Sequence, residues 1–418
     1  MALTLVHDYR GDRQMTARLY YGEHVLDALR GLPDASVQVV CTSPPYYKPR
    51  DYGVPDVDWS DGWEGQLGQE DTPQDFIAHL VEIFREVRRV LHPRGTCWVN
   101  LGDSYVGGGG YFPDCPSNQP DAVKARNFGG HTASARKGGV PVVPGLRRKS
   151  LVGIPWRFAL GMMDDGWILR NDIIWHKPST MPENVNDRCT VDHEYVFMFT
   201  QQETYFFNQD AIRTPVRASA TYGYEPGTST QVRNDEGHPT RYGDTVMGSA
   251  KGQGLRSLPP PKDKGPNRRT VWTISTKPYR SDHPAPWPPD LAERMLLAGM
   301  PPDGVCSECG SDECPCGADK QPSVALDPFS GSATTGRMAF DLGHDYVGID
   351  LNESFLKLAK ARLGSPDPTV TSGEIEEIFG FSRGKSDDDT TPEVVDSSGE
   401  TPEAPQDHDN LIWSLFGS

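Results

Sequence analysis

Residues 39–47 read VVCTSPPYY. With the preceding SVQ, the run up to Thr42 is apolar and β-branched enough for a fully buried strand. It then stops abruptly. Neither Pro44 nor Pro45 can donate to a sheet ladder, and each pushes the residue before it away from helix. The chain therefore leaves the strand rigid and extended, carrying Ser43, Tyr46 and Tyr47 at its tip. In open α/β sheets, the carboxyl ends of buried parallel strands are where ligands are held.

The flanking text supports such a sheet. In PQDFIAHLVEIFREVRRVL, residues Phe76, Leu80, Phe84, Val87 and Leu91 share one face at helical spacing. Thr72 can cap this helix, Pro73 suits its first turn, and Asp75 sits near the positive end of its dipole. HPRG then turns the chain into TCWVNLG, and DIIWHK and YVFMF read as further buried strands. The alternation resumes with SVALDPF, GSATTGRMAFDLG, DYVGID and SFLKLAKARL as strand, turn and helix, strand, and helix. Buried strands separated by helices predict a mostly parallel sheet with helices on both faces.

A second tip, DPFSGSATTG at 327–336, has an acid at a strand end followed by glycine and small residues entering a helix. Backbone can approach a ligand closely there, with the helix N-terminus pointing at it. Asp350 ends the next strand, where a carboxylate suits a ribose diol. This turn contains no GK[ST], which disfavours a phosphate-clamping loop there, and the Gly107–Gly110 run lacks strand and helix context. Ser43 as a hydrolase nucleophile has neither a G-x-S-x-G elbow nor an apparent base. HEYVF fails H-E-x-x-H, so His193 and Glu194 are not read as zinc ligands.

At 418 residues the chain has room for more than one domain. No long uncharged apolar run or signal-peptide pattern is present, so we expect a cytoplasmic protein with no membrane partner. The formal net charge is −17, of which residues 365–418 supply −11 (thirteen acids, two bases), leaving −6 for the body. That tail is rich in Pro, Ser, Thr and acids, the composition of a disordered segment. Basic residues cluster at 124–149 and 251–280 within Gly-rich loop text, a pattern suited to local phosphate contact. Four of the eight cysteines, Cys306, Cys309, Cys314 and Cys316, fall in CSECGSDECPC. A C-x-x-C followed by C-x-C in a cytoplasmic chain favours structural zinc over disulfides, with a reduced loop as the alternative.

Taken in order, TSPPYY, DPFSGSATTG and YVGID, with RNDIIWHKP, HEYVFMF and HPAPWPPDLAERML, resemble the S-adenosylmethionine-dependent DNA amino-methyltransferases over about residues 18–363. The catalytic-type motif precedes the cofactor-type motif, which is similar to the circularly permuted β-group of N4-cytosine and N6-adenine enzymes. The resemblance implies a Rossmann-like methyltransferase fold. Its catalytic half would be 1–200 with a DNA-facing insert at about 104–150, and 201–280 would recognise the target. A cofactor half would span 281–364 with the cysteine insert at 306–316, followed by the tail.

It also implies residue roles. Ser43 and the Pro44 carbonyl, held by Pro45, would accept hydrogen bonds from the target amine, and Tyr46 would stack on a base flipped out of double-stranded DNA. Asp327, Pro328, Phe329 and Gly331 would shape the methionine end of the S-adenosylmethionine pocket, Asp350 would hold the ribose, and Glu23 would lie near the adenine. Ala333 stands where the family usually has a second glycine, and Glu23 where it usually has an aspartate. Serine opening the four-residue motif is typical of cytosine-N4 enzymes, aspartate of adenine-N6 enzymes. A cysteine insert like 306–316 is similar to one in other members. A restriction endonuclease partner is compatible with the resemblance, as is a DNA-binding relative that no longer methylates.

Overall fold

The computed structural model describes residues 3–10, 13–48, 53–107, 143, 145–180, 182–183, 185–214, 232–233, 239–240, 265–276 and 287–364. Most of the insert expected at 104–150, most of the recognition region expected at 201–280 and the whole tail expected at 365–418 lie outside the described residues.

In chain order the principal elements are β1 (Leu3–Arg10), β2 (Arg13–Tyr21), α1 (Val25–Arg30), β3 (Val37–Thr42), α2 (Pro73–Val90), β4 (Leu91–Leu101) and α3 (Ile154–Asp164). They continue with β5 (Ile168–His176), β6 (His193–Thr200), β7 (Val271–Thr273), α4 (Pro289–Gly299), β8 (Val324–Asp327), α5 (Thr334–Asp341), β9 (Asp345–Asp350) and α6 (Leu356–Arg362). The strands form one sheet in the order β1-β2-β9-β8-β3-β4-β6-β5-β7. Neighbours pair in parallel except at the β1–β2, β4–β6 and β6–β5 contacts.

The reading of YVFMF as one more parallel strand is corrected here. β6 runs antiparallel to both neighbours because no helix separates it from β5, so the chain returns directly alongside. The N-terminal hairpin of β1 and β2 went unread, and His92–Gly95 form a break in register inside β4 and not a turn before it.

Alternate side chains along the central strands feed two cores. Val40, Leu326, Val99, Phe197 and Val347 pack toward α1, α2 and α3, while Val39, Ala325, Trp98, Met198 and Tyr346 pack toward α4, α5 and α6. Helices therefore cover both faces, and the central strands are apolar on both sides. The α2 expectation holds in detail: Thr72 Oγ1 accepts from the Asp75 amide at 3.2 Å, and Phe76, Leu80, Phe84, Val87 and Leu91 are all buried. β3 and β8 lie side by side, yet one chain leaves through α2 to β4 and the other through α5 to β9, in opposite directions along the sheet. That reversal opens a crevice between the two strand ends. TSPPYY and DPFSG are the segments that emerge there.

Candidate active site

One cavity of about 560 Å³ runs across the reversal point. Its walls include Ser43, Pro44, Pro45 and Tyr46 from the β3 tip, Asp327, Pro328, Phe329 and Gly331 from the β8 tip, and Asp350 from the end of β9. The loop after β2 contributes His24 and the start of α1 Val25 to the lining, while Glu23 lies beside them, half-buried.

At the β8 end the polar groups are tied to backbone and to small side chains. Asp327 is 2% exposed. One of its carboxylate oxygens accepts from Thr42 Oγ1 at 2.6 Å and the Phe329 amide at 3.1 Å, and the other from Thr335 Oγ1 at 2.7 Å. Burial still dominates and pushes its pKa up to about 6. Asp350 accepts from the Gly331 amide at 2.7 Å and the Asn352 amide at 2.8 Å. Burial, helped by the charge of Asp327, raises it to about 7. Beneath the loop, Tyr21 Oη donates to the Gly331 carbonyl, and Ser330 Oγ lies 2.8 Å from both Tyr21 Oη and Tyr346 Oη. Gly331 (φ 51°) and Ala333 (φ 58°) are both left-handed, so the departure from glycine at 333 falls on a backbone conformation that disfavours a Cβ.

At the β3 end the ties run between side chains from different strands. Ser43 Oγ donates to Asn100 Oδ1 at 3.2 Å, and Asn100 Nδ2 donates to the Tyr195 carbonyl at 3.0 Å, which fixes which way the amide faces. Tyr46 Oη is 3.1 Å from Asn100 Oδ1 and 2.7 Å from Glu194 Oε2. The single phenol proton goes to the carboxylate, the shorter and charge-assisted bond. Glu194 also accepts from Lys177 Nζ, which sits 4.3 Å from the centre of the Trp175 ring. The Tyr46 ring fits only because residue 102 is glycine: a Cβ there would lie 2.7 Å from Tyr46 Cε2. Tyr47 is 1% exposed and donates to the Asp71 carbonyl, so it packs. Asn100 and Lys177 were missed in the sequence, although each stands at or just beyond the carboxyl end of a strand read as buried. Thr42 and Thr335, which hold Asp327, gave no signal of their own.

Residues 37–361 match the family model for N6/N4 DNA methylases. The chain belongs to that family. The methylase is 36% identical over 354 residues to the Type II methyltransferase M.XycI of Xanthomonas campestris pv. cyanopsidis, covering 84% of this chain and 89% of that one. It is 35% identical over 337 residues to the Type II methyltransferase M.SmaI of Serratia marcescens, covering 81% and 87%. Among solved structures, one described as PvuII DNA methyltransferase, cytosine-N4-specific, aligns with a TM-score of 0.49 at 16% identity, over 87% of this chain and 91% of that one.

The methylase's four clustered cysteines lie elsewhere. Their sulfurs, from Cys306, Cys309, Cys314 and Cys316, are all within 4.8 Å of one another. The knuckle is clipped to the starts of the central strands, where Arg94 makes a two-point pair with Asp312 at 2.9 Å and Gln38 donates to the Gly310 carbonyl at 3.4 Å. That is the amino edge of the sheet, opposite the cavity. Backbone amides of Cys309 and Glu308 lower the Cys306 thiol to about 7. Among the described residues no helix is long and apolar enough to cross a membrane.

Proposed function

We propose that the protein transfers the methyl group of S-adenosylmethionine to the exocyclic N4 amine of cytosine at a specific site in double-stranded DNA. The observation that carries this reading is the meeting of the two tips in one cavity, with the Ser43 hydroxyl proton directed at Asn100. The Ser43 lone pairs are thereby turned toward an incoming N–H. The lone pair of an aromatic amine is conjugated with its ring. Hydrogen bonds from its two N–H groups to Ser43 Oγ and the Pro44 carbonyl re-aim it. The cofactor supplies an electrophilic methyl on a sulfonium. Transfer would break the S–CH3 bond, form an N–CH3 bond and leave a neutral thioether, with the surplus proton of the amine passing to water. Asp327, Pro328, Phe329 and Gly331 line the methionine end, and Asp350 and the loop carrying Glu23 the nucleoside end, of this arrangement. Reaching the cavity takes the base out of the stack at about a few kcal/mol, with Tyr46 as the stacking surface. Serine in place of aspartate at position 43 is the reason for choosing cytosine over adenine.

We also propose a structural zinc on Cys306, Cys309, Cys314 and Cys316. Thiolates at about 2.3 Å from a tetrahedral zinc stand about 3.8 Å apart, and these sulfurs need only a small contraction to reach that. From the amino edge the ion would brace the entry to β8 and take no part in the chemistry. Following the Type II naming of the relatives, we assign the protein to the cytoplasm, where its methylation would protect sites from a partner restriction endonuclease.

The test is mass spectrometry of nucleosides from unmethylated DNA treated with protein and cofactor, beside Ser43→Ala. N4-methylcytosine made only by the wild type supports the reading. N6-methyladenine would keep the mechanism and overturn the base, and no methylated base despite cofactor binding would overturn the DNA reaction. Elemental analysis giving about one zinc per chain, lost in Cys309→Ser, supports the knuckle site, and a metal-free wild type overturns it.

A further inference from the structure

If Ser43 and the Pro44 carbonyl hold the amine of the target base, the rest of its Watson–Crick edge must meet something else. On cytosine that edge is N3 and O2, both acceptors. It needs donors, and a buried acceptor left without one is costly. Among the described residues that line the cavity, Lys177 is the one lysine or arginine. It lies just beyond the end of β5 with its side chain 17% exposed, its ammonium nitrogen donating to Glu194 and standing 4.3 Å from the centre of the Trp175 ring. The backbone at 177 is pinned by a 2.7 Å bond from its amide to the Asp192 carbonyl. An ammonium carries three N–H donors, so Lys177, which lines the cavity, has donors beyond the one on Glu194. Glu194 holds Lys177 through one oxygen and Tyr46 through the other, so the cation and the stacking ring are placed as a unit.

We propose that Lys177 reads the acceptor edge of the flipped base, donating to N3 and O2 of cytosine, and that Glu194 is the residue that positions it. The inference rests on the reading of the cavity as an amine-methylating site. Thymine presents N3–H and would face the ammonium donor to donor, which rejects it. Adenine keeps a ring acceptor beside its amine but has C2–H where cytosine has O2, and so loses one of the two bonds.

The experiment is a cycle between protein and substrate on a duplex whose methylated site has first been mapped with the wild-type protein. Lys177→Met, near in length and without charge, is paired with 3-deazacytosine at the target position, which replaces N3 with C–H. Each change alone is expected to lower kcat/KM by roughly 10- to 100-fold, and the two together by little more than one. Losses that multiply would overturn the contact. Lys177→Met with full activity on cytosine would overturn it outright. Glu194→Gln should raise KM for DNA more than it lowers kcat, with Lys177→Met adding little to it. A Glu194→Gln that multiplies with Lys177→Met overturns the positioning role. Cofactor affinity, followed by calorimetry, should be unchanged in both variants and shows that they are folded. Absence of methylation by the wild type would be the failure of the underlying reading, seen before the cycle is begun.

Discussion

The two ends of the cavity are built by different means. Around Asp327 the polar partners are a backbone amide of the same loop and short hydroxyls from the adjoining strand and the first turn of α5, and the carboxylate is sealed from solvent. Around Ser43 the partners come from four separated places, 43–46, 100, 177 and 194, and the outermost ones are partly open. On the proposed function this difference has a reason: the tightly tied end would hold a ligand that is the same in every turnover, and the assembly of side chains from several strands would receive a base that arrives from a duplex and must be told from others.

The sharpest way to break this contrast is to strip each end of its central group. Asp327→Ala leaves buried Thr42 and the Phe329 amide without their acceptor, and Thr335 with only the Cys41 carbonyl at 3.3 Å. We expect cofactor affinity to fall by roughly 1000-fold or more, and a thermal unfolding midpoint lowered by a loss of about 2–4 kcal/mol. Ser43→Ala should do the reverse: kcat down by about 100- to 1000-fold with cofactor affinity unchanged, since one donor or acceptor at the reacting atom is removed and nothing beneath it. Calorimetric binding and single-turnover kinetics separate the two. If Ser43→Ala loses cofactor as badly as Asp327→Ala, the ends are not independent.

A smaller perturbation tests the base end through its packing. Gly102→Ala places a Cβ 2.7 Å from Cε2 of the Tyr46 ring, which is tied through its hydroxyl to Glu194. The ring should shift and pull on Glu194. We expect a loss of about 10- to 30-fold in kcat/KM for DNA, with the cofactor constant untouched.

The cofactor end should answer to pH. Both buried acids are raised, Asp327 to about 6 and Asp350 to about 7, so in the empty protein protonation is favoured by the fold. Their contribution to stability is full below the unfolded carboxylate range near 4 and is lost as pH climbs through about 6 to 7. A cationic cofactor favours the ionised forms, so its affinity should move the other way. We expect binding to tighten by about tenfold from pH 5.5 to 8, with protons released on binding. A flat profile would mean that the two carboxylates are already ionised without ligand.

The same contrast explains what could be read in advance. Asp327, Phe329, Gly331 and Asp350 could be placed in one cavity wall in advance because a strand end, a glycine turn and a following acid are contiguous text, and the fold makes them neighbours almost automatically. The strand-helix alternation that builds the reversal point was legible for the same reason. Ser43 and Tyr46 could be placed at a strand tip because two prolines mark its end. Asn100, Lys177 and Glu194 could not be assembled, because which residue faces which across β4, β6 and β5 depends on strand order and register. The antiparallel course of β6, which brings Glu194 to Tyr46, is the piece the alternation misread.

The smallest expected effect concerns the one place where the cofactor loop departs from its own logic. Ala333 caps α5 in a left-handed conformation and is fully buried. Relative to glycine, a Cβ in that backbone costs about 1–2 kcal/mol. Against this stand the loss of a buried methyl, about 0.8 kcal/mol, and a more flexible unfolded chain, about 0.4–1 kcal/mol. These nearly cancel, so Ala333→Gly should change stability by less than about 1 kcal/mol in denaturant unfolding. Cofactor affinity should likewise move by no more than about threefold, since the Gly331 amide and its bond to Asp350 are set by residues on the other side of the turn. A larger gain in affinity would mean that the alanine holds the loop away from its best closure. The cofactor end would then be as adjustable as the base end, and the contrast between them would fail where it looked firmest.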